Sequence, residues 1–322
     1  MRPPRGRDRL VQVAKLYYQD DLSQAEIAQR LGTTRSNVSR ILGAAREEGV
    51  VQIRIVETIE RNTELENRMR EVLGLREARV LAPSTADDLT DELGRIGADW
   101  FLDTVRPGHH VAVSWGSTLQ ALVDAVPATG IGDVEFVQLV GGLSTLATKV
   151  SGQELVRELA TKLHCRYRYL HAPALFESPD ARRAMMQESS IATSLDAARG
   201  CDIAIVGIGA VGQASSAEII EALHLSHREK QTFVRSGAVG DICARYFDRR
   251  GQEVESAVHD RVLAIDLDDL RRIPTVAGVA LGAPKGRSIA AAVRGGLLDV
   301  VICDETAARA ALHEMASDGV LV

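Results

Sequence analysis

Apolar positions along this chain keep two rhythms. Over the first fifty residues they recur at helical spacing. LVQVAKLYY, residues 10–18, reads as a first helix. QAEIAQRLGTTRSNVSRIL, residues 24–42, reads as two shorter helices whose Ile27, Leu31, Val38 and Ile41 pack against it. Ala28 stands where the short helices cross closely, and Gly32 where the turn between them needs a residue without Cβ. Ser23 followed by Glu26 forms a capping box for the first short helix, and Thr33 can cap the second. The run ends near Gly49, a good residue to follow a helix. VVQIRIV, residues 50–56, then alternates at period two and predicts a short strand or wing. Its Gln52 and Arg54 share one side, against phosphates or simply in solvent. Residues 57–73 turn highly charged, with Ile59, Leu65, Met69, Val72 and Leu73 as sparse apolar points, and predict a linker helix that can pair with a copy of itself.

Beyond about Arg76 the rhythm changes. Short apolar runs bounded by glycine (ARVLA, HVAVS, VEFVQLV, DIAIVGIG, RVLAI, TVAGVALG, DVVIC) alternate with helical patterns such as residues 152–163 and 287–294. Continuous apolar strands alternating with helices predict a parallel sheet covered on both faces. The expected fold class is therefore α/β: an N-terminal helix-turn-helix, winged-helix-like domain over 1–56, a linker helix over 57–75, and a Rossmann-like parallel-sheet domain over 76–322. No internal repeat or low-complexity segment interrupts this order.

Composition agrees with two globular domains: 322 residues, 45% hydrophobic and 25% charged. No apolar run approaches a membrane span, and MRPPRGRDRL has no apolar segment behind its basic residues, so neither a membrane partner nor a secretory signal is expected. Cys165, Cys201, Cys243 and Cys303 lie far apart and read as reduced thiols of a cytoplasmic protein. The formal charge of −6 is uneven. Residues 1–56 hold ten Lys/Arg against six Asp/Glu, a balance of +4, leaving 28 basic and 38 acidic residues, −10, for the rest. A basic head on an acidic body is the distribution expected where only the head meets phosphates.

A helix held as the second short one is can lie in the DNA major groove, and its outward residues are polar: Thr34, Arg35, Ser36, Asn37, Ser39 and Arg40. Arg35 and Arg40 suit guanine edges and Asn37 an adenine. Gln24 and Thr33, at the helix entries, complete the expected DNA-contacting set, and Arg7 and Arg9 supply phosphate contacts. Apolar spacing alone is also that of a plain structural bundle. Ala28, Gly32 and the capping box together favour the reading helix.

Open α/β sheets take ligands at the carboxyl ends of their strands. After HVAVS comes Trp115-Gly116-Ser117-Thr118, and after VEFVQLV comes Gly141-Gly142-Leu143-Ser144. Both loops offer close backbone approach, hydroxyls and a helix N-terminus suited to an anion, although strand-to-helix connections use glycine for their own sake. The run from Gly207 to Gly212 matches G-x-G-x-x-G, but no second strand ending in an acid follows about 20 residues on, which argues against a dinucleotide. No cofactor is expected. Asp241, in SGAVGDI, can accept from sugar hydroxyls, and Lys285, in GAPKG, can serve a phosphate or a hydroxyl. The same two residues could act as general base and oxyanion stabiliser of an isomerase or deaminase, but no additional acid–base motif accompanies them. His109, His110, His164 and His171 lack metal-ligand spacing, and no metal is expected.

These residues together resemble one family. AKLYYQDDLSQAEIAQRLGTTRSNVSRIL, SWGSTL, FVQLVGGLS, LHAPAL, DIAIVGIG, SGAVGDICARYFD and ALGAPKGRSIAAAVRGGLLDVVICDE, in that order, look like the SorC-type, DeoR-like sugar-responsive transcription regulators of bacteria. The resemblance implies an effector domain similar in fold to ribose-5-phosphate isomerase and glucosamine-6-phosphate deaminase, without catalysis. It also implies dimers or tetramers that bind operator DNA near sugar-catabolic genes. Carried onto this chain, it places a sugar, polyol or sugar-phosphate effector among Gly116, Ser117, Thr118, Gly141, Gly142, Ser144, Asp241 and Lys285, with Gly207 and Gly209 shaping the floor. GGLSTLATK has no arginine for a second phosphate, which points to a monophosphate or an unphosphorylated ligand over a bisphosphate.

Overall fold

A computed structural model describes residues 6–51, 59–84, 88–143 and 151–317, with the backbone alone at 214 and 215. The chain divides into two units, Met1–Thr58 and Ile59–Val322.

The first unit carries three helices: α1 (Gly6–Tyr18), α2 (Gln24–Arg30) and α3 (Arg35–Glu47). Val13, Leu16, Ile27, Ala28, Val38 and Leu42 form its core, with Leu31 and Ile41 partly buried against them. The capping box at Ser23 is made in both directions, Ser23 N–H to Glu26 Oε2 at 2.8 Å and Glu26 N–H to Ser23 Oγ at 3.3 Å. Gly32 sits at φ +60°, the left-handed turn that lets α3 start across α2. One expectation is corrected here: Thr34, not Thr33, caps α3, accepting the Asn37 N–H at 3.2 Å. Of the strand expected over 50–56, Val50 and Val51 are described and not in a strand, and Gln52 and Arg54 lie outside the described residues.

In the second unit the stretch expected as a linker contains α4 (Thr63–Leu73). Its apolar face is spent on its own unit, because Leu65, Met69 and Leu73 are buried in the main core instead of being left for a copy. Buried Glu66 anchors it, bonding Arg61 at 2.7 and 2.8 Å and accepting the Val80 N–H at 3.0 Å.

Then the chain alternates: β1 (Glu77–Leu81), α5 (Leu89–Thr104), β2 (His110–Val113), α6 (Ser117–Ala125), β3 (Glu135–Gln138), α7 (Gly152–Leu163) and β4 (Arg166–Arg168). Two short helices, α8 (Pro179–Met186) and α9 (Ser189–Arg199), precede β5 (Ile203–Gly207). A three-stranded antiparallel sheet follows, built from β6 (Gly209–Ala210), β7 (Gly240–Ile242) and β8 (Arg245–Phe247), with α10 (Ala214–Ala222) and α11 (His227–Arg235) between the first two. The chain closes with α12 (Leu267–Leu270), β9 (Thr275–Ala280), α13 (Gly286–Arg294), β10 (Val300–Asp304) and α14 (Glu305–Ser317).

The large sheet runs β1-β10-β9-β5-β2-β3-β4, every pairing parallel. Strands such as Val300–Asp304 are buried throughout, as expected when both faces are covered. One apolar cluster, with Leu93, Ile96, Leu119, Leu155 and Leu159, fills the face under α5, α6 and α7. The other, with Met69, Ile289, Ala308, Leu312 and Tyr246, fills the opposite face beneath α4, α13, α14 and the small sheet. RVLAI is not a strand of the sheet. Val262 and Ala264 make only isolated antiparallel bridges, to Leu175 and Val140, because an apolar run reports burial and not pairing direction.

Candidate recognition helix and effector cavity

On α3, Thr34, Arg35, Ser36, Ser39 and Arg40 are exposed, while Asn37, Thr33 and Gln24 at the start of α2 are half-buried. The inward positions Val38 and Leu42 are buried. One side of the helix is thus spent on the three-helix core and the other is polar and open. Asn37 is tied at both ends of its amide, Nδ2 donating to Thr33 Oγ1 at 2.8 Å and Oδ1 accepting from Arg40 Nη2 at 2.9 Å.

In the second unit a cavity of about 240 Å³ opens at the carboxyl ends of neighbouring strands β2, β5 and β9. Seven residues singled out from the sequence line it: Gly116, Ser117, Thr118, Gly207, Gly209, Asp241 and Lys285. Gly116 precedes α6 at φ +134° and, having no side chain, makes no cap bond, which among the described residues leaves the first N–H groups of the helix to other acceptors. Thr118 leans on the Val279 carbonyl at 3.5 Å.

Asp241 reaches the cavity from β7, paired with Gly209 on β6. A Cβ on Gly209 would stand 1.8 Å from Asp241 Oδ1, so any side chain there must displace the carboxylate that occupies the space. Asp241 is 5% exposed, and its Oδ1 has no hydrogen-bond partner among the described residues. Burial pushes its carboxyl up, against the opposing pull of the Ser216 hydroxyl, the Lys285 charge, the Ala244 N–H and His259. Burial pushes Lys285 the other way, down, with the Asp241 charge restraining it. The hydroxyl of Tyr246, donating to the Ser216 carbonyl at 2.8 Å, steadies the segment behind the carboxyl. Between β7 and β8, Cys243 and Ala244 both adopt left-handed φ, 56° and 57°, a costly turn for residues with Cβ. It directs the Ala244 N–H at Asp241 and brings Cys243 to the cavity wall.

Gly141 and Gly142 do not line this cavity. Gly142 exchanges backbone bonds with Ala172 and Ala174, both at 2.8 Å, and a Cβ on Gly141 would meet the Pro173 carbonyl at 2.5 Å. These glycines admit the 172–174 segment against the end of β3. Ser144 lies outside the described residues. The wall is completed by Trp115, Val279 and Ala280 and by Thr90, Ile208, Cys243 and Leu281, none of which is among the expected site residues. Leu281 directly follows a strand, so the strand-end rule reaches it. Cys243 needed the small hairpin, which no local pattern in the sequence signals.

Residues 57–313 match the family model described as "Putative sugar-binding domain", and residues 9–67 match that of the Crp-like helix-turn-helix domain. The deoxyribonucleoside regulator of Bacillus subtilis is 34% identical, over 95% of this chain and 97% of its own. The transcriptional regulator LsrR of Klebsiella pneumoniae is 32% identical, over 94% and 92%. The crystal structure of the full-length sorbitol operon regulator SorC from Klebsiella pneumoniae superimposes with a TM-score of 0.72 at 30% identity, covering 95% of this chain and 98% of that one. A DNA-binding helix-turn-helix joined to a sugar-binding-type α/β domain defines the class, a transcriptional regulator. Within that class the chain belongs to the SorC-type, DeoR-like family.

Proposed function

We propose that this protein binds operator DNA through α3 and adjusts that binding to a single sugar, polyol or sugar monophosphate held in the cavity at Asp241 and Lys285. The observation that carries the reading is the convergence of seven residues from four chain segments on one cavity in a unit of this family. Its volume, about 240 Å³, equals roughly eight waters at about 30 Å³ each, below the roughly 300–1,000 Å³ of drug-sized sites. That suits one five- or six-carbon unit.

Asp241 Oδ1 accepts a ligand hydroxyl, and Ser117, Thr118 and the open start of α6 receive a hydroxyl or phosphate, with Lys285 adding charge. The ligand is bound, not transformed: the full-length relatives are regulators, and beside Asp241 and Lys285 the described lining adds as an ionisable group only the Cys243 thiol, which burial pushes up. In the first unit, Arg35 and Arg40 read guanine edges. A two-fold dimer sets its recognition helices about 34 Å apart, or a multiple. The ligand shifts the population of DNA-competent dimers or tetramers only as far as its affinity for the two states differs. The protein works in the cytoplasm.

Thermal denaturation with a panel of sugars, polyols and their monophosphates tests the cavity, since a ligand bound only by the native state raises Tm. At least one member is expected to raise Tm in the wild type and not in Lys285→Ala, and to change the protein's affinity for duplexes from its own genomic neighbourhood. Turnover of that ligand, or indifference to every such duplex at modest salt, overturns the reading.

A further inference from the structure

Asn37 is the third residue of α3 after its cap, on the polar face of the helix. Both ends of its amide are engaged within the protein, Nδ2 on Thr33 Oγ1 at 2.8 Å and Oδ1 on Arg40 Nη2 at 2.9 Å, while its backbone N–H serves the Thr34 cap. The amide's orientation is fixed chemically. Turned over, it would set an NH₂ against a guanidinium that can only donate. To read adenine, asparagine must present Oδ1 and Nδ2 side by side to N6 and N7 of one base. Here the two atoms face opposite ways along the helix, one toward its entry and one toward a residue a turn further on.

Arg40, by contrast, gives up one of five N–H donors and keeps the remainder of a planar fork. It is exposed, and a free arginine there would sample many rotamers; the Asn37 carbonyl restrains it. We propose that Thr33 and Asn37 are positioning residues that set the Arg40 guanidinium for the O6 and N7 of a guanine. Asn37 then contributes to base selectivity through Arg40 and does not pair with adenine. The proposal rests on the reading of α3 as the DNA-reading helix.

The test uses the full-length protein and the duplex it enriches most from a randomised pool, followed by every single-base-pair variant of that duplex. Arg40→Ala should flatten the preference at one G·C pair, a loss of about 5- to 150-fold in discrimination. Asn37→Ala should reduce discrimination at that same pair by about three- to tenfold, and Thr33→Val should act at that pair and no other. The double variant Asn37→Ala/Arg40→Ala should discriminate no worse than Arg40→Ala alone, because the two residues act as one unit.

Asn37→Asp keeps an acceptor for Nη2, so it should retain the guanine preference while weakening binding to all duplexes through its negative charge. A merely structural role would move affinity uniformly and leave the pattern of base preference unchanged, which overturns the proposal. So does loss of preference at an A·T pair in Asn37→Ala with the Arg40 pair untouched. Should Asn37→Ala fail to fold, Asn37→Asp and Thr33→Val decide the matter by the same readout. If the wild type enriches no duplex, or Arg35→Ala and Arg40→Ala both keep its full preference, the reading of α3 fails and the proposal goes with it.

Discussion

The carboxyl of Asp241 is where stability and ligand recognition pull against each other. Burial raises it above the usual carboxylate range. A carboxyl raised in the folded state stabilises the fold fully only below its unfolded value, about 3.9, and that contribution is lost as pH rises through the folded value. At neutral pH the carboxyl is ionised in the unfolded chain, so folding must either bury that charge or take up a proton, and the group burdens the fold. Asp241→Asn is expected to melt higher than the wild type at about pH 7–8 and to converge with it as the pH falls toward about 4, while losing the ligand-dependent rise in Tm. Differential scanning across that range checks both; a variant less stable than the wild type at pH 8 would refute the burial account. Gly209→Ala should fail in the opposite sense. A methyl at 1.8 Å from Oδ1 must displace the carboxylate, at roughly 1–3 kcal/mol for overpacking, and ligand response should vanish. Asp241 was visible in the sequence as an acid among glycines, but the reason for Gly209 was not, since it lies across a strand pairing that no local pattern announces.

At the level of elements, caps and buried ion pairs decide which helices stand. Thr34→Ala removes the α3 cap and should cost about 1 kcal/mol in the first unit, whereas Thr34→Ser, which keeps the accepting hydroxyl, should leave that stability nearly unchanged; urea unfolding followed by helical circular dichroism separates them. Arg61→Ala strands the buried Glu66 carboxylate at the base of α4. Removing one partner of a fully buried pair costs roughly 3–5 kcal/mol. The Arg61 side chain is 36% exposed, so about 2–3 kcal/mol is expected by urea titration. The same scale shows why the sequence over 57–73 predicts a linker helix able to pair with a copy of itself while the folded chain uses its apolar face within one unit. Leu65, Met69 and Leu73 keep a helical stripe that fits a self-pairing helix or one docked on a sheet equally well, and only the position of β1 and α14 selects the second. RVLAI fails for a related reason: its apolar content requires burial, and the isolated bridges at Val262 and Ala264 show burial without membership of a sheet.

Across the whole molecule the charge is divided, +4 over residues 1–56 against −10 over the rest. Duplex affinity should consequently be steeply salt-dependent. With several phosphate contacts released, Kd should rise by at least about tenfold between 50 and 200 mM salt, while the ligand-dependent Tm shift of an uncharged sugar should hardly move. Binding assays at graded ionic strength measure the first and thermal scans the second; a duplex affinity indifferent to salt would deny the basic unit its role.

The order of parts was settled by local chemistry alone: helical spacing, a capping box and one left-handed glycine specify the three-helix unit, and apolar strands alternating with helices specify a covered parallel sheet. These are short-range properties, written in adjacent residues. Which loops meet is a long-range property. The sheet order puts β9, β5 and β2 side by side, and so brings Lys285, Gly207 and Ser117 to one cavity while directing Gly141 and Gly142 to the 172–174 crossing instead. Strand order, and the small hairpin that lifts Asp241 into place, arise from pairings between segments far apart in the chain, and only the folded structure decides them.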